Sequence, residues 1–416
     1  MIQRQPPAKW SRQSGLEPRG FPGFSISADP PGCESRPPIA GCGGIRPSCL
    51  RPIALLCLLA AGVSAAAAQK WEIQYFYDHA KSSFVICDMQ FPSASRGVAV
   101  GVIREGRRED PSSVVTADGG LHWQTVPLKE PPVSLFFLNE NLGWLVTTKG
   151  LWQTVEAGRS WTKLPKLPAE IFRVYFIDEK HGWGIGPKKT ALETRDGGQS
   201  WSPLVAASAQ DGEDVNFSCY TWIAFATPRN GLITGWNIPP RRFDTLLPNW
   251  MDPDTALRQR ETPHLSFSLT TSDSGAEWSA ASASLFGVIS RVRFAPEGKG
   301  LELTKYSETF RYPSEVSSLE WPGGENHTVF RDAKFDVTDI WLASDGTAYL
   351  SGSKVRGKLR GVIPDKVEVF TSKDLDEWTP IPVDYRAEAS STILAAPDDD
   401  HLWLATDTGM ILKLVR

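Results

Sequence analysis

The sequence predicts an all-β fold, a β-propeller of seven four-stranded antiparallel blades, and three observations predict it. An eight-residue phrase, Thr-x-Asp-x-Gly-x-x-Trp, recurs as Thr116, Asp118, Gly120, Trp123, then Thr194, Asp196, Gly198, Trp201, then Thr271, Asp273, Gly275, Trp278. Each phrase closes a unit of one order: an apolar strand, a Gly-Trp strand, a strand ending in Thr, and a strand opened by Trp. Four short strands per about 40 residues is the arithmetic of a propeller blade. The third observation is composition: 35 Gly, 32 Pro and 16 Trp in 416 residues favour many short strands and tight turns over helix bundles.

The elements follow in chain order. Residues 1–50 are rich in Pro, Gly, Ser and Arg without an apolar period, so they cannot bury enough surface to fold. Arg51, an apolar run from Pro52 to Val63 and the small residues Ala66-Ala67-Ala68 then read as a secretory signal cleaved near Ala68. That run is about a dozen residues, short of the ~20 a spanning helix needs. Residues 1–68 are therefore expected to be a signal peptide behind an extension that is either disordered or misassigned, the latter putting the start near Leu50, and residues 69–416 a single exported propeller. Periplasm, lumen and external medium are all open as destinations. Cys87 and Cys219 remain after cleavage; their first strands lie three blades apart, too far for the ~5.5 Å Cα separation of a disulfide, so two buried free thiols are expected.

Within the propeller, Lys70 to Tyr75 reads as an orphan fourth strand. Blade two reads as Val133 to Leu138, Gly143 to Thr147, Leu151 to Thr154 and a strand opened by Trp161, and blade three as Ile171 to Ile177, Gly182 to Gly186, Ala191 to Thr194 and Trp201. Fourth-strand tryptophans at 123, 161, 201, 278, 321 and 378 count six blades. The seventh comes from pairing Lys70 to Tyr75 with three C-terminal strands, Ser391 to Ala395, Leu402 to Thr406 and Met410 to Val415, which covers two otherwise open edges. Six or eight blades stay open, since the phrase of blade five is eroded to Ser317–Trp321. Two other copies are imperfect: Thr154, Glu156, Gly158, Trp161 carries Glu for Asp, and Thr371 to Trp378 puts Lys373 and Leu375 where Asp and Gly belong.

The phrase has a physical reading. Its Asp accepts backbone N–H bonds in a tight turn, its Gly permits positive φ, and its Trp packs between blades. One Asp per blade at the same turn cannot converge on a common site, and a lone Asp lacks the six or more oxygens calcium takes. No metal and no cofactor are expected. The phrases resemble the Asp-box, or BNR, repeats of sialidase-like propellers. A sialidase would bring an Arg cluster, a Tyr nucleophile and a Phe/Tyr-Arg-Ile-Pro segment; Phe172-Arg173-Val174-Tyr175 does not match it. With no GxSxG, HExxH or P-loop either, no catalytic residue is assigned.

Nearly all of residues 69–416, with their opening Trp strand, Gly-Trp-x-Val segments and Thr-x-Asp-Gly-Gly-x-x-Trp units, is similar to the photosystem II stability and assembly factor family. The resemblance implies a non-enzymatic scaffold on the lumenal or periplasmic side of a membrane that binds newly made membrane-protein subunits. The eroded phrases and a long insertion leave the particular partner open. The alternative is a glycan-binding or glycoside-hydrolysing propeller of sialidase type.

A partner surface is expected on the face opposite the Asp-box turns, where the connections between second and third strands gather. Three insertions lie there: Arg104 to Ser112, Ile238 to Leu265 and Lys354 to Lys366. They hold 12 basic against 8 acidic groups. Residues 1–68 carry seven basic and three acidic groups against a whole-chain net charge of −4, so the mature chain is at −8. Such a contrast is expected to steer an acidic peptide or an anionic surface onto the insertions. The candidate contacts are Arg241, Arg242, Phe243, Trp250, Met251, Arg258 and Arg260 in the largest insertion, and Lys354, Arg356, Lys358 and Arg360 in the last. Nucleic acid is disfavoured by export and net acidity. A monomer without a transmembrane helix is expected.

Overall fold

A computed structural model describes residues 69–208, 214–239, 263–307, 310–321, 323–324, 326–355 and 364–416. Seven antiparallel sheets carry 29 strands. Blade one is β2 (Ser82–Gln90), β3 (Gly97–Glu105), β4 (Arg108–Thr116) and β5 (Gln124–Pro127); blade two is β6 (Pro132–Phe137), β7 (Gly143–Thr147), β8 (Gly150–Thr154) and β9 (Thr162–Lys163). Blade three is β10 (Arg173–Phe176), β11 (Gly182–Ile185), β12 (Ala191–Thr194) and β13 (Ser202–Pro203); blade four is β14 (Ser218–Phe225), β15 (Gly231–Asn237), β16 (His264–Thr271) and β17 (Ser279–Leu285). Blade five is β18 (Val288–Phe294), β19 (Lys299–Lys305), β20 (Ser314–Glu320) and β21 (His327–Phe330). Blade six is β22 (Phe335–Leu342), β23 (Ala348–Lys354), β24 (Asp365–Ser372) and β25 (Thr379–Ile381), with the short β26 (Glu388–Ala389) also on β24.

The seventh sheet joins both ends of the folded chain. It is β27 (Thr392–Ala395), β28 (Trp403–Thr406), β29 (Met410–Val415) and, on the outer edge, β1 (Lys70–Phe76), in the order β1-β29-β28-β27. Trp71 lies opposite Leu414 and is 4% exposed. Its backbone N–H donates to the Pro382 carbonyl of the preceding blade's outer end (3.3 Å). Seven blades closed by the N-terminal strand is thus the observed architecture.

The Asp-box turns are built alike. In blade three the Thr194 hydroxyl donates to Asp196 Oδ1 (2.8 Å) and accepts the Gly198 N–H (2.9 Å), while Asp196 Oδ1 accepts the Ser200 N–H (2.8 Å). Blades one and four repeat this through Thr116, Asp118, Gly120 and His122, and through Thr271, Asp273, Gly275 and Glu277. In blade two Thr154 still holds the Gly158 N–H (3.1 Å), and Glu156 accepts the Ser160 hydroxyl instead of a backbone N–H (2.6 Å). These turns make Asp118 and Asp196 strong acids, held down to about 2: backbone and imidazole donors of His122 act on the first, the hydroxyl and N–H of Ser200 on the second.

Blade six keeps the turn in a different register from the one its sequence suggests. Ser372 takes the Thr role and Asp374 the Asp role, with Ser372 Oγ donating to Asp374 Oδ1 (3.0 Å) and the Glu377 N–H donating to the same oxygen (3.0 Å). The phrase is one residue shorter before Trp378, and Leu375 takes the positive φ of 67°.

Each turn also locks onto the preceding blade. The Trp144 indole of β7 donates to the Gly197 carbonyl in blade three (3.1 Å). A Cβ on Gly275 would come 2.1 Å from Trp183 of β11, so only glycine fits that turn, whose φ is 81°. The box tryptophans do pack between blades, Trp123 against Tyr75 and Phe91 and Trp278 against Trp183 and Phe225, but they are only half-buried. The sealed indoles belong to the second strands: Trp144, Trp183 and Trp403 are each 0% exposed, with Trp144 stacked on Phe176 (3.7 Å) and Trp403 on Phe91 (3.6 Å). Burying such a ring stabilises by roughly 3–5 kcal/mol.

Two other expectations are corrected. Arg104 to Ser112 is mostly strand, because β3 and β4 run out to Glu105 and Arg108 and turn on Gly106 (φ 60°). Both cysteines are free, yet only Cys219 is buried; Cys87 is exposed to the central channel because a bulge between Ile86 and Asp88 turns its strand there.

Candidate functional site

First strands line the axis of a propeller, and here a bulge decides what they present to it. In five blades the register slips just before one residue, between Ile86 and Asp88, Pro132 and Ser134, Tyr220 and Trp222, Ile289 and Arg291, and Val337 and Asp339. A bulge re-aims the following side chain. That residue stands three places before the one closing the strand against the start of the second, as Phe137 closes on Gly143, Phe176 on Gly182, Phe225 on Gly231 and Phe294 on Gly300. Counting back the same way gives one position per blade: Asp88, Ser134, Arg173, Trp222, Arg291, Asp339 and Thr392.

Five of these, Asp88, Arg173, Trp222, Arg291 and Asp339, line a central cavity of about 320 Å³, together with Arg293, Trp341 and Tyr175. Three guanidiniums gather on one indole: Arg173, Arg291 and Arg293 lie 4.1, 4.7 and 5.3 Å from the Trp222 ring centre. Arg293 also reaches Trp341 (5.5 Å). Trp222 is held in place by its Nε1–H, which donates to the Val292 carbonyl of the next blade (2.7 Å). Each cation–π contact of this kind contributes about 0.5–2 kcal/mol, more as water is excluded.

The two carboxylates are spent on the ring itself. Asp88 accepts the N–H of Met89 (2.9 Å) and of Leu135 in the next blade (2.8 Å). Asp339 accepts Ile340 (2.9 Å) and Leu394 in the next blade (2.9 Å). Their distances to the guanidiniums are longer: 3.9 Å from Asp88 to Arg173, and 3.7 Å from Asp339 to both Arg291 and Arg293. Burial pushes Arg173 down to about 10, partly countered by Asp88 and reinforced by Arg291 and Arg293, so it remains a cation at neutral pH.

Most of the residues proposed from sequence are not among those described. Arg241, Arg242, Phe243, Trp250, Met251, Arg258, Arg260, Arg356, Lys358 and Arg360 lie outside the described residues, as does the segment read as a signal. Lys354 is exposed and paired with Glu368 (2.6 Å). Arg104 with Glu109, Arg108 with Asp110 and Lys366 with Glu388 are paired likewise, at 3.0, 2.9 and 2.9 Å, which offsets part of the expected positive excess. The channel set was missed because its members differ in chemistry from blade to blade; the available signal was the fixed offset from the aromatic closing each first strand. Among the described residues no group of three His, Cys, Asp or Glu side chains converges as a metal site.

Repeated Asp-box turns, a closed seven-blade ring and a cationic, indole-lined axis define a BNR propeller. The family model described as photosynthesis system II assembly factor YCF48 matches residues 166–236. The photosystem II assembly protein Ycf48 of Thermosynechococcus vestitus is 34% identical over 94 residues, which is 20% of this chain and 24% of that protein; the chain thus spans about a quarter of that relative's length. A solved structure of YCF48 bound to D1 peptide superposes with a TM-score of 0.54 at 17% identity, covering 83% of this chain and 95% of that one. The xyloglucanase of Xanthomonas campestris superposes at 0.55 with 10% identity, covering 83% and 53%. At those identities the likeness to both structures is one of fold. The chain is thus a propeller with BNR-type repeats that is similar, over part of its length, to photosystem II assembly factors.

Proposed function

We propose that the chain is an exported, non-enzymatic, monomeric scaffold that binds a protein partner, a membrane-protein subunit or its acidic segment, as the assembly factors it resembles imply. One observation carries this reading. In the central cavity both carboxylates are occupied by backbone N–H groups, while three guanidiniums face it with no carboxylate closer than 3.7 Å, so the lining suits an anionic group and, among the described residues, leaves no uncommitted carboxyl to protonate a leaving group. That commitment favours the scaffold over the glycan-hydrolysing alternative. The signal-like segment ending at Ala68 supports export, and no helix among the described residues is long and apolar enough to cross a membrane. The basic and aromatic residues of the 238–265 insertion, Arg241 and Arg242 first, supply the outer contacts on the face opposite the Asp-boxes.

Capture from membrane extract tests it. Wild-type protein retains a membrane subunit that Arg241→Ala/Arg242→Ala retains several-fold less. Equal recovery by both removes that insertion from the site, and recovery of no membrane protein by either removes the scaffold reading.

A further inference from the structure

The seams between neighbouring blades are not filled alike. Each is packed from two positions, that of the second-strand tryptophans and that of the aromatic closing the next blade's first strand. Trp144 with Phe176, Trp183 with Phe225 and Trp403 with Phe91 are stacked pairs at 3.7, 5.0 and 3.6 Å. Three more seams keep one ring, as Phe137 beside Val98, Phe294 beside Leu232 and Tyr349 beside Ala396. Between blades five and six both positions are leucine, Leu301 and Leu342. A third ring is displaced there as well. Trp123, Trp201 and Trp278 of the Asp-boxes meet Phe91, Phe176 and Phe225 edge-on at 5.9, 6.3 and 6.1 Å. Trp378 of blade six goes instead to the outer strand of blade five, where it packs on Phe330 (5.5 Å) and its Nε1–H donates to the Val329 carbonyl (3.0 Å).

At this seam stands a cavity of about 660 Å³ on the Asp-box face. Ala295, Leu319, Leu342 and Leu375 form its apolar part, and Lys299, Glu320 and Lys373 stand exposed at its rim. Its two aspartates are committed to their own turns. Asp374 accepts the Ser372 hydroxyl and the N–H groups of Asp376 and Glu377, each at 3.0 Å, and Asp345 accepts the Thr347 N–H (2.8 Å). An apolar floor inside a polar, solvated rim is the arrangement in which protein interfaces seat an aromatic anchor.

We propose that this cavity seats an aromatic side chain of a partner protein, inserted where three other seams hold the chain's own indole. The occupant is a ring because the same place elsewhere takes an indole and a phenyl in one stack. It is uncharged because the rim sets Lys299 and Lys373 against Glu320 and the two committed aspartates, which leaves no strong field to select an ion. Water's share of liquid volume is about 30 Å³, so roughly twenty waters fill the space, room for an indole with the backbone that carries it. The site goes beyond the scaffold reading above, whose contacts lie on the opposite face.

Ligand-observed NMR titration with N-acetyltryptophanamide and N-acetylleucinamide tests the seat. The tryptophan amide is expected to bind about tenfold or more tightly than the leucine amide. Leu301→Trp and Leu342→Phe each supply a ring from within, so each should weaken that binding about tenfold or more with unchanged circular dichroism. Should Leu301→Trp fail to fold, Leu342→Phe decides. Equal affinity for the two amides, binding of neither, or undiminished binding by the folded variants overturns the proposal. Capture from membrane extract tests where the ring comes from. The expected partner is a protein that wild type retains, that Leu342→Phe loses, and that the tryptophan amide displaces while the leucine amide does not. A seat that binds the tryptophan amide and captures no such protein takes a free aromatic compound, and the assignment to a partner chain falls. Arg241→Ala/Arg242→Ala should leave this capture unchanged, since that insertion is on the other face, so failure of the seat and failure of the scaffold reading are told apart.

Discussion

Asp196 on the rim and Asp339 at the axis perform the same backbone task in opposite surroundings. Each accepts N–H groups that its fold would otherwise leave unpaired. Asp196 does so at the surface, within one turn, beside Thr194 and Ser200. Asp339 does so 1% exposed, joining two blades, with Arg291 and Arg293 at 3.7 Å. The difference teaches that a carboxylate's value to the ring depends on what is stranded when it leaves. At the rim, water replaces it; at the axis, two N–H groups and two cations lose the one carboxylate that faces them among the described residues.

Removing the axial member should therefore cost most. Asp339→Ala is expected to lower the unfolding free energy by about 3–5 kcal/mol, the range for breaking a buried pair from one side, measured by denaturant titration. A loss no larger than that of a surface substitution would erase the contrast. A third carboxyl sharpens it, because Glu302 on β19 receives no backbone N–H, only the Thr304 hydroxyl at 3.5 Å. Burial, reinforced by Glu315 and resisted by Thr304, pushes it up to about 7. Folded Glu302 thus holds its proton when the unfolded chain has released it, so stability falls as pH rises from the unfolded value near 4.5 through about 7 and levels beyond. Glu302→Gln should gain on the order of 2–3 kcal/mol at pH 8 and nothing at pH 4. An identical gain at both would show that ionisation is not the cause.

Smaller effects are expected at the rim. Thr194→Val removes a hydroxyl that donates to Asp196 and accepts from Gly198, and should cost about 1 kcal/mol in a melting experiment. The acid limb is the mildest test. Asp118 and Asp196 have folded values depressed to about 2, so their contribution is complete above the unfolded value near 3.8 and is lost as pH falls through about 2. Asp118→Asn/Asp196→Asn should flatten unfolding against pH across that window; an unchanged slope would mean the turns bear no charge-dependent stability.

The rim was legible in the sequence because each of its parts is local. Thr194, Asp196, Gly198 and Trp201 sit within one turn, so a fixed spacing carries the whole geometry, and the closing strand at Lys70 showed itself by completing three strands at the other end. The shortened copy at Ser372 and Asp374 defeated spacing by one deleted residue, which the turn absorbs by giving Leu375 a positive φ. The axis was not legible. Arg173, Trp222, Arg291 and Asp339 share a position but not one residue type, and the bulges that aim five of the seven axial positions leave no mark in composition. The sealed indoles at 144, 183 and 403 were visible as Gly-Trp pairs or their relic, yet only the interlock with the next blade's turn distinguishes them from the half-buried ones.

The junction of β1 with β29 has a consequence for how the molecule is made. The first strand of the fold can find its partner only after the last has been made, so the toroid stays unlatched until β29 is available. Loss of β29 would bare Trp71 and two strand edges together, a pair of sticky flags that the closed ring hides.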